Sequence, residues 1–320
     1  MFRKNKVDLA APEFPLNLEW INSEPLTMRR LRGRVVLIDI WAYSCVNCQR
    51  TLPHIKDWHK KYEKKGLTII GVHAPEFEFE KDKKNVEQAV SDAEITYPVV
   101  LDDDQKIWNL YQNQWWPRKL LINKGGTIIY DHIGEGSYEE TESAIQSALL
   151  ANGGRSMPAI HGEGVKGGVC RPVTPETYLG FARGVLANRN EVEKNHFHEY
   201  QKSKAKSLPS LEGKWKVTRE YVESGGGTLC MPYSAGEVNL VMELAEDAAR
   251  STIAVTSDGE SISRGDVGND IKFDGDETKV EVKASRMYNL LMSSDHQDAE
   301  LRLEVPKGVR LYAFTFGGTY

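Results

Sequence analysis

Hydrophobic and polar residues follow two different periods in the two halves of this chain. In the first half, mainly apolar runs, typical of strands buried on both faces of a sheet, alternate with segments whose apolar residues recur at helical spacing. The runs predict strands over 34–41, 66–77 and 97–102, and the periodic segments predict helices over 46–64, 84–93 and 105–112. The order of these elements is β-α-β-α-β-α.

The first half closes with an antiparallel pair and a last helix. Two apolar segments after Pro117 flank Gly125 and Gly126, a pair of residues that suits a hairpin turn. A helix is predicted over 138–150. Parallel units followed by a hairpin and a helix form an α/β domain, and we expect a central mixed sheet covered by helices over residues 1–152.

The pattern changes beyond this last helix. Glycine and proline replace periodic apolar residues, so we predict a linker over 153–171. From Leu211 onward, short segments alternate with period two and are separated by turn pairs such as Asp258-Gly259. Residues 172–320 are therefore predicted to form an all-β domain, a sandwich or a barrel.

Composition and charge narrow the range of functions. The chain has 40% hydrophobic and 27% charged residues and a net charge of -5. No stretch approaches the roughly 20 consecutive apolar residues of a membrane span, and no basic face collects phosphates, so we expect neither a membrane span nor a nucleic-acid partner. The acidic clusters are interpreted as solvated surface. The N-terminal residues lack the apolar segment of a secretory signal, so the sequence as it stands predicts a cytoplasmic protein.

A C-x-x-C motif, Cys45 and Cys48, lies between a predicted strand and a predicted helix. A cysteine at a helix N-terminus readily forms the reactive thiolate, because unpaired N–H groups and the helix dipole stabilise negative charge there. A second cysteine one turn on resolves the mixed disulfide that the first one forms. Two alternatives remain open: half of a zinc site, which would need four ligands, and a pair of buried core thiols.

Three more features favour redox chemistry. Asp39 lies six residues before the first cysteine, inside an apolar run, where a carboxylate is costly unless a raised pKa makes it a proton store. Pro53, five residues after the second cysteine, is expected to kink the helix. A cis bond between Trp116 and Pro117 would leave neighbouring backbone groups free to pair with an extended substrate. Each feature also has a purely structural interpretation. Asp39 could be a hydrogen-bonded acid at the end of a strand, Pro53 could kink the helix for packing alone, and Pro117 could be a trans proline in a turn.

Taken together, these residues resemble the active site of the thioredoxin superfamily. The acid, the C-x-x-C pair, the helix proline and the later proline occur in that family's order, and the inserted helix, strand and second helix before Pro117 resemble its TlpA and redoxin type. The segments WAYSCVNCQRTLP, GVHAPEFEFEK and NQWWPRKLLI are similar to the C-terminal region of the DipZ family of cytochrome c biogenesis proteins. The likeness covers most of residues 20–150 and continues more weakly into RLYAFTFG.

The resemblance implies catalytic roles for four residues. Cys45 would be the nucleophile and Cys48 the resolving thiol. Asp39 would be the buried acid, and Glu76 a second acid that shares the proton work. The redox-active Cys45–Cys48 disulfide would be the only redox group, with no cofactor and no metal. Because Val46-Asn47 replaces the Gly-Pro of thioredoxin, the reduction potential does not carry over.

The resemblance also implies substrates and partners. Substrate would bind at the cis-proline Pro117 and the aromatic residues Trp41 and Trp116. The partners would be protein thiols and disulfides, with electrons from a separate membrane protein, and the location would be extracytoplasmic if a longer natural chain carries an anchor.

The second half resembles a carbohydrate-binding module built as a β-sandwich. Candidates for stacking on a sugar are Tyr178, Trp215 and Tyr233, although tryptophan and tyrosine in β-domains more often belong to the core. The H-x-H pair His196 and His198 is more readily interpreted as solvated than as a metal site. Cys170 and Cys230 are expected to be structural thiols.

The favoured function is thiol-disulfide exchange with protein partners, with a second domain that binds a carbohydrate or positions a partner. A thiol peroxidase is the alternative enzyme, but it would require a lone peroxidatic cysteine in a Thr-rich loop. A non-catalytic binding module on a thioredoxin scaffold is the alternative from another class.

Overall fold

The structure of the chain is a computed structural model. The structure describes residues 9–151, 153, 156–160, 171–188, 194–203, 207–245 and 250–318. It divides into two compact units, residues 1–164 and 165–320. Much of the predicted linker 153–171 lies outside the described residues, so the predicted domain boundaries stay a prediction.

The first unit alternates strands and helices in the predicted order. Its strands are β1 (Leu9–Ala10), β2 (Trp20–Ile21), β3 (Val35–Trp41), β4 (Leu67–His73), β5 (Val99–Leu101), β6 (Arg118–Ile122) and β7 (Thr127–Ile133). Its helices are α1 (Val46–Tyr62), α2 (Lys83–Asp92), α3 (Lys106–Leu110) and α4 (Tyr138–Ala151), with short 3-10 turns at Glu63–Lys65 and Glu78–Lys81. The two-residue strands β1 and β2 were not predicted, because a segment that short carries no period.

The sheet of the first unit is mixed, as predicted. Its strand order is β1-β7-β6-β3-β4-β5-β2. Strands β3, β4 and β5 are parallel, whereas β6 runs antiparallel to β3 and forms the predicted hairpin with β7. All seven residues of β3 are buried, which is why the segment is apolar apart from Asp39. The loops after β3 and β4 and the loop before β6 therefore meet at one edge of the sheet.

The second unit is all-β and antiparallel, as predicted. Its strands are β8 (Thr177–Tyr178), β9 (Phe197–Tyr200), β10 (Ser210–Val217), β11 (Val222–Leu244), β12 (Ser251–Ser257), β13 (Glu260–Ser261), β14 (Ile271–Asp274), β15 (Glu277–Val282), β16 (Arg286–Val305) and β17 (Val309–Gly317). Segments predicted as separate short strands are parts of β11 and β16, which are 23 and 20 residues long. In β11, residues 222–230 pair with β10, residues 227–242 with β16, and residues 222–223 and 237–244 with β17, so one long strand pairs with three others.

One structural finding bears on membranes. Within the ranges that the structure describes, no helix is both long and apolar enough to cross a bilayer.

Candidate active site

Cys45 and Cys48 lie where the chain leaves β3 and enters α1. Cys45 is the N-cap of α1, and its Sγ accepts the backbone N–H of Cys48 at 3.2 Å. The two sulfurs are 2.6 Å apart, and both cysteines are free thiols. Cys45 is half-buried, whereas Cys48 is only 1% exposed. One thiol is thus accessible at the helix N-terminus and its neighbour is covered.

The two cysteines differ in burial, and burial disfavours the thiolate form of Cys48. The pKa of Cys48 is raised well above its ordinary value, chiefly because burial penalises the thiolate and also because the thiol donates a hydrogen bond to Cys45. The helix that carries the pair is held by apolar residues at helical spacing, including Leu52, Ile55 and Trp58, all buried. Pro53 lies inside this helix, as predicted.

Asp39 lies in the middle of β3 and is 1% exposed. Burial raises its pKa to about 6, and the nearby positive charge of Lys119 opposes that rise. Lys119 occupies the position opposite Asp39 on β6 and is fully buried. Burial lowers the pKa of the Lys119 ammonium, whose Nζ donates to the carbonyl oxygen of Gly134 at 3.3 Å. The raised pKa of Asp39 was predicted, and the buried lysine facing it was not.

A second buried carboxylate, Glu80, was missed in the sequence. Its Oε1 accepts the backbone N–H of Ser44 at 3.1 Å and the Ser44 hydroxyl at 2.8 Å. Its Oε2 accepts the backbone N–H groups of Glu76 at 2.6 Å and Phe77 at 3.1 Å. Burial and, less strongly, the charge of Glu76 raise the pKa of Glu80 to about 7. The interpretation of the acidic clusters as solvated surface is wrong at this residue.

Glu76 itself is half-buried next to this carboxylate. The sequence singled out Glu76 in the segment HAPEFEFEK, and the structure places the fully buried acid four residues later. No local signal marks Glu80, because its burial depends on the contact between two loops.

The predicted proline is in the cis form. The Trp116–Pro117 bond is the cis peptide, and the two residues precede β6 at the sheet edge where β3 ends. The indole N–H of Trp116 donates to the carbonyl oxygen of Ala74 at 2.9 Å, and its ring packs on Trp108 with centroids 4.2 Å apart. The adjacent Trp115 is 53% exposed, so it presents the larger apolar surface at this corner.

Trp41 does not reach the surface. It is 1% exposed and packs edge-on against His73, which also stacks on Tyr43. Because its ring is enclosed, the predicted substrate contact of Trp41 is corrected to a packing role beneath the loop that carries the cysteines. Burial lowers the pKa of His73 to about 3, so this imidazole is neutral in the folded chain.

The candidates in the second unit differ in their exposure. Trp215 and Tyr233 are 0% and 4% exposed, so they belong to the core, and Arg183 covers the half-buried ring of Tyr178 at 3.5 Å. His196 is exposed and His198 half-buried. Cys230 is buried, which raises its pKa, and Cys170 lies outside the described residues. In the described part of the chain, no group of three or more His, Cys, Asp or Glu could hold a metal ion.

Comparisons with known proteins agree with this geometry. A family model named Redoxin matches residues 6–149, and one described as a thioredoxin-like C-terminal domain matches residues 174–317. Protein DipZ of Mycobacterium tuberculosis is 32% identical over 317 residues, which are 96% of this chain and 43% of DipZ. The chain therefore spans less than half the length of this relative.

Shorter relatives match the first unit alone. The thiol-disulfide oxidoreductase ResA of Bacillus cereus is 27% identical over 143 residues, covering 45% of this chain and 79% of ResA. A solved thiol:disulfide interchange protein of the thioredoxin family from Chlorobium tepidum is 20% identical, with a TM-score of 0.38, covering 44% of this chain and 97% of its own. The chain belongs to the thioredoxin superfamily: it carries a redoxin domain followed by a thioredoxin-like C-terminal domain, and it is similar to thiol-disulfide oxidoreductases such as ResA.

Proposed function

We propose that this chain is a thiol-disulfide oxidoreductase that exchanges disulfides with protein partners. The observation that carries the proposal is the asymmetry of the pair: Cys45 is accessible and accepts an N–H at the start of α1, and Cys48 is buried 2.6 Å from it. A thiolate at Cys45 gains this hydrogen bond and the helix dipole, which is the arrangement that favours nucleophilic cysteines.

The proposed reaction has two steps. The Cys45 thiolate attacks one sulfur of a partner disulfide, so that a mixed disulfide forms and the partner's other sulfur leaves as a thiolate that takes up a proton. The Cys48 thiol then loses its proton and attacks Cys45 Sγ, which releases the second partner thiol and leaves the Cys45–Cys48 disulfide. Two electrons pass to the partner. The reverse sequence oxidises a dithiol, and no further redox group takes part in the proposal.

Asp39 is the proposed acceptor of the Cys48 proton. Its negative charge lies close enough to raise the pKa of Cys48, and its own pKa of about 6 leaves it ionised at neutral pH. The acceptance of a proton by Asp39 removes the charge that opposes the Cys48 thiolate. A proton role for Glu76 stays a prediction.

The proposed substrate surface is the corner formed by Trp115, Trp116 and Pro117. Trp116 is fixed by its bond to Ala74, and the exposed ring of Trp115 offers an apolar contact for a partner protein. A role of the second unit in carbohydrate binding or partner positioning, and a separate membrane electron donor, are also predictions. Trp215 and Tyr233 are buried, so neither ring is available to stack on a sugar.

The test compares insulin reduction by the wild type, Cys45→Ser, Cys48→Ser and the matched control Cys230→Ser. We expect no turnover with either of the first two variants, and a trapped mixed disulfide at Cys45 with Cys48→Ser. Cys230→Ser should keep the wild-type rate, because Cys230 is buried in the other unit.

Retention of turnover by Cys45→Ser would exclude the proposal, and inactivity of the wild type towards every disulfide would favour a binding module. Consumption of hydrogen peroxide that depends on Cys45 but not on Cys48 would favour the peroxidase. A glutathione titration then gives the direction of electron flow, since a potential near roughly -270 mV marks a reductant and one near roughly -120 mV an oxidant.

A further inference from the structure

The carboxylate of Glu80 connects the two loops that flank the cysteine site. It accepts two donors from Ser44, which follows β3, and two backbone N–H groups from Glu76 and Phe77, which follow β4. Each oxygen therefore receives two hydrogen bonds, and the side chain is fully buried. A buried carboxylate is costly unless it is bonded in this way, and bonds to an ionised acceptor are stronger than neutral ones.

The contact with Ser44 reaches the nucleophile through a single peptide link. Ser44 immediately precedes Cys45, whose Sγ caps α1 by accepting the Cys48 N–H. The position of this sulfur follows from the backbone at Ser44 and Cys45. The Glu80 bonds to both the N–H and the hydroxyl of Ser44 fix that backbone from one side.

We propose that Glu80 is a positioning residue for the redox site, holding Ser44 so that Cys45 Sγ keeps its hydrogen bond from the Cys48 N–H. The inference deepens the proposed function and rests on it for its biological meaning. In this proposal Glu80 acts on Cys45 through the backbone of Ser44, because its hydrogen bonds go to Ser44, Glu76 and Phe77.

The test is the rate at which iodoacetamide alkylates Cys45 in the reduced chain, with the modified cysteine identified by peptide mass spectrometry. Glu80→Gln keeps the shape of the side chain but turns an NH2 group towards donors. We expect alkylation of Cys45 at pH 7 to slow by about tenfold, because a charge-assisted hydrogen bond to the thiolate is lost for much of the time. The pH profile of the rate should move to higher pH.

The matched control is Glu142→Gln. Glu142 is another buried glutamate of the same unit, 6% exposed, and it accepts from Tyr62 and Lys61 near the end of α1 rather than from the loop ahead of Cys45. Its replacement should also destabilise the fold but should change the alkylation rate by less than twofold.

The positioning role is supported if Glu80→Gln slows alkylation more than threefold relative to Glu142→Gln, and overturned if the difference is smaller. If Glu80→Gln does not fold, Ser44→Ala replaces it in the test, because this variant removes the hydroxyl donor and leaves the Glu80 carboxylate in place. A slowing of more than twofold with Ser44→Ala supports the role, and a smaller one overturns it.

The two proposals fail in distinguishable ways. A wild type that reduces no disulfide would exclude the proposed function. The comparison of alkylation rates between Glu80→Gln and Glu142→Gln would still be decisive, because alkylation needs no disulfide substrate. An active wild type with unchanged alkylation in Glu80→Gln would sink the positioning role alone.

Discussion

Replacement of Asp39 by asparagine should stabilise the protein at high pH and leave its stability almost unchanged in acid. The side chain keeps its shape and loses its charge. In the folded chain the pKa of Asp39 is about 6 instead of 3.8, so the folded state binds a proton in this window that the unfolded chain has released. Wild-type stability therefore falls as the pH rises from about 4 to about 6. The difference in pKa corresponds to a penalty of about 3 kcal/mol once Asp39 is ionised in both states.

The expected increase in the free energy of unfolding is smaller than this penalty, because Lys119 loses its counter-charge when Asp39 is replaced. We expect Asp39→Asn to raise the free energy of unfolding by ~1–3 kcal/mol at pH 8 and by ~0 at pH 3, while disulfide reduction slows because the proposed proton acceptor is gone.

The assay is urea denaturation of the reduced chain at several pH values, followed by tryptophan fluorescence. Six of the seven tryptophans lie in the first unit, so the signal reports on the unit that contains Asp39. Asp92→Asn is the control, because Asp92 is exposed on α2, and its stability difference should stay within ~0.5 kcal/mol at every pH. If Asp39→Asn brings no gain in stability at pH 8, or an equally large gain at pH 3, burial of the Asp39 charge does not destabilise the fold as described.

Three further predictions follow from the same structure. Lys119→Met should raise the pKa of Asp39 above about 6, because the lysine charge lowers it; a carboxyl titration followed by carbon NMR measures this. His73→Phe should stabilise the chain by ~3 kcal/mol at pH 4 relative to pH 8, since wild-type stability is lost as the pH falls from 6.5 towards the folded pKa of about 3; denaturation at both pH values tests it. Trp215→Phe removes the bond from its indole N–H to the carbonyl oxygen of Glu212 and should cost ~1–3 kcal/mol in the second unit, with an unchanged rate of insulin reduction.

Much of the first unit follows from local pattern. The apolar run of β3, interrupted only by Asp39, predicts a central buried strand, and helical spacing after it predicts α1 to within two residues at its end. The C-x-x-C spacing puts two thiols one helical turn apart. The helix and the spacing of the thiols are both set by residues close in sequence. The charge of Asp39 within the run predicts a raised pKa for the same local reason.

The second unit shows where local pattern stops. The period-two segments 251–257 and 309–316 coincide almost to the residue with strands β12 and β17. The great length of β11 was not predicted, because glycines and a proline interrupt its alternation, whereas pairing with β10, β16 and β17 keeps the strand continuous.

The order of the elements, the place of the cysteine pair and the acid within β3 can be predicted from the sequence, because each depends on neighbours along the chain. The burial of Glu80 against Ser44, the position of Lys119 opposite Asp39 and the enclosure of Trp41 are evident only in the folded chain. Each of these depends on which strands pair and which loops meet at the edge of the sheet. Glu80 lies 36 positions along the chain from Ser44, and Lys119 lies 80 positions from Asp39. The period of hydrophobic residues carries no information over such separations.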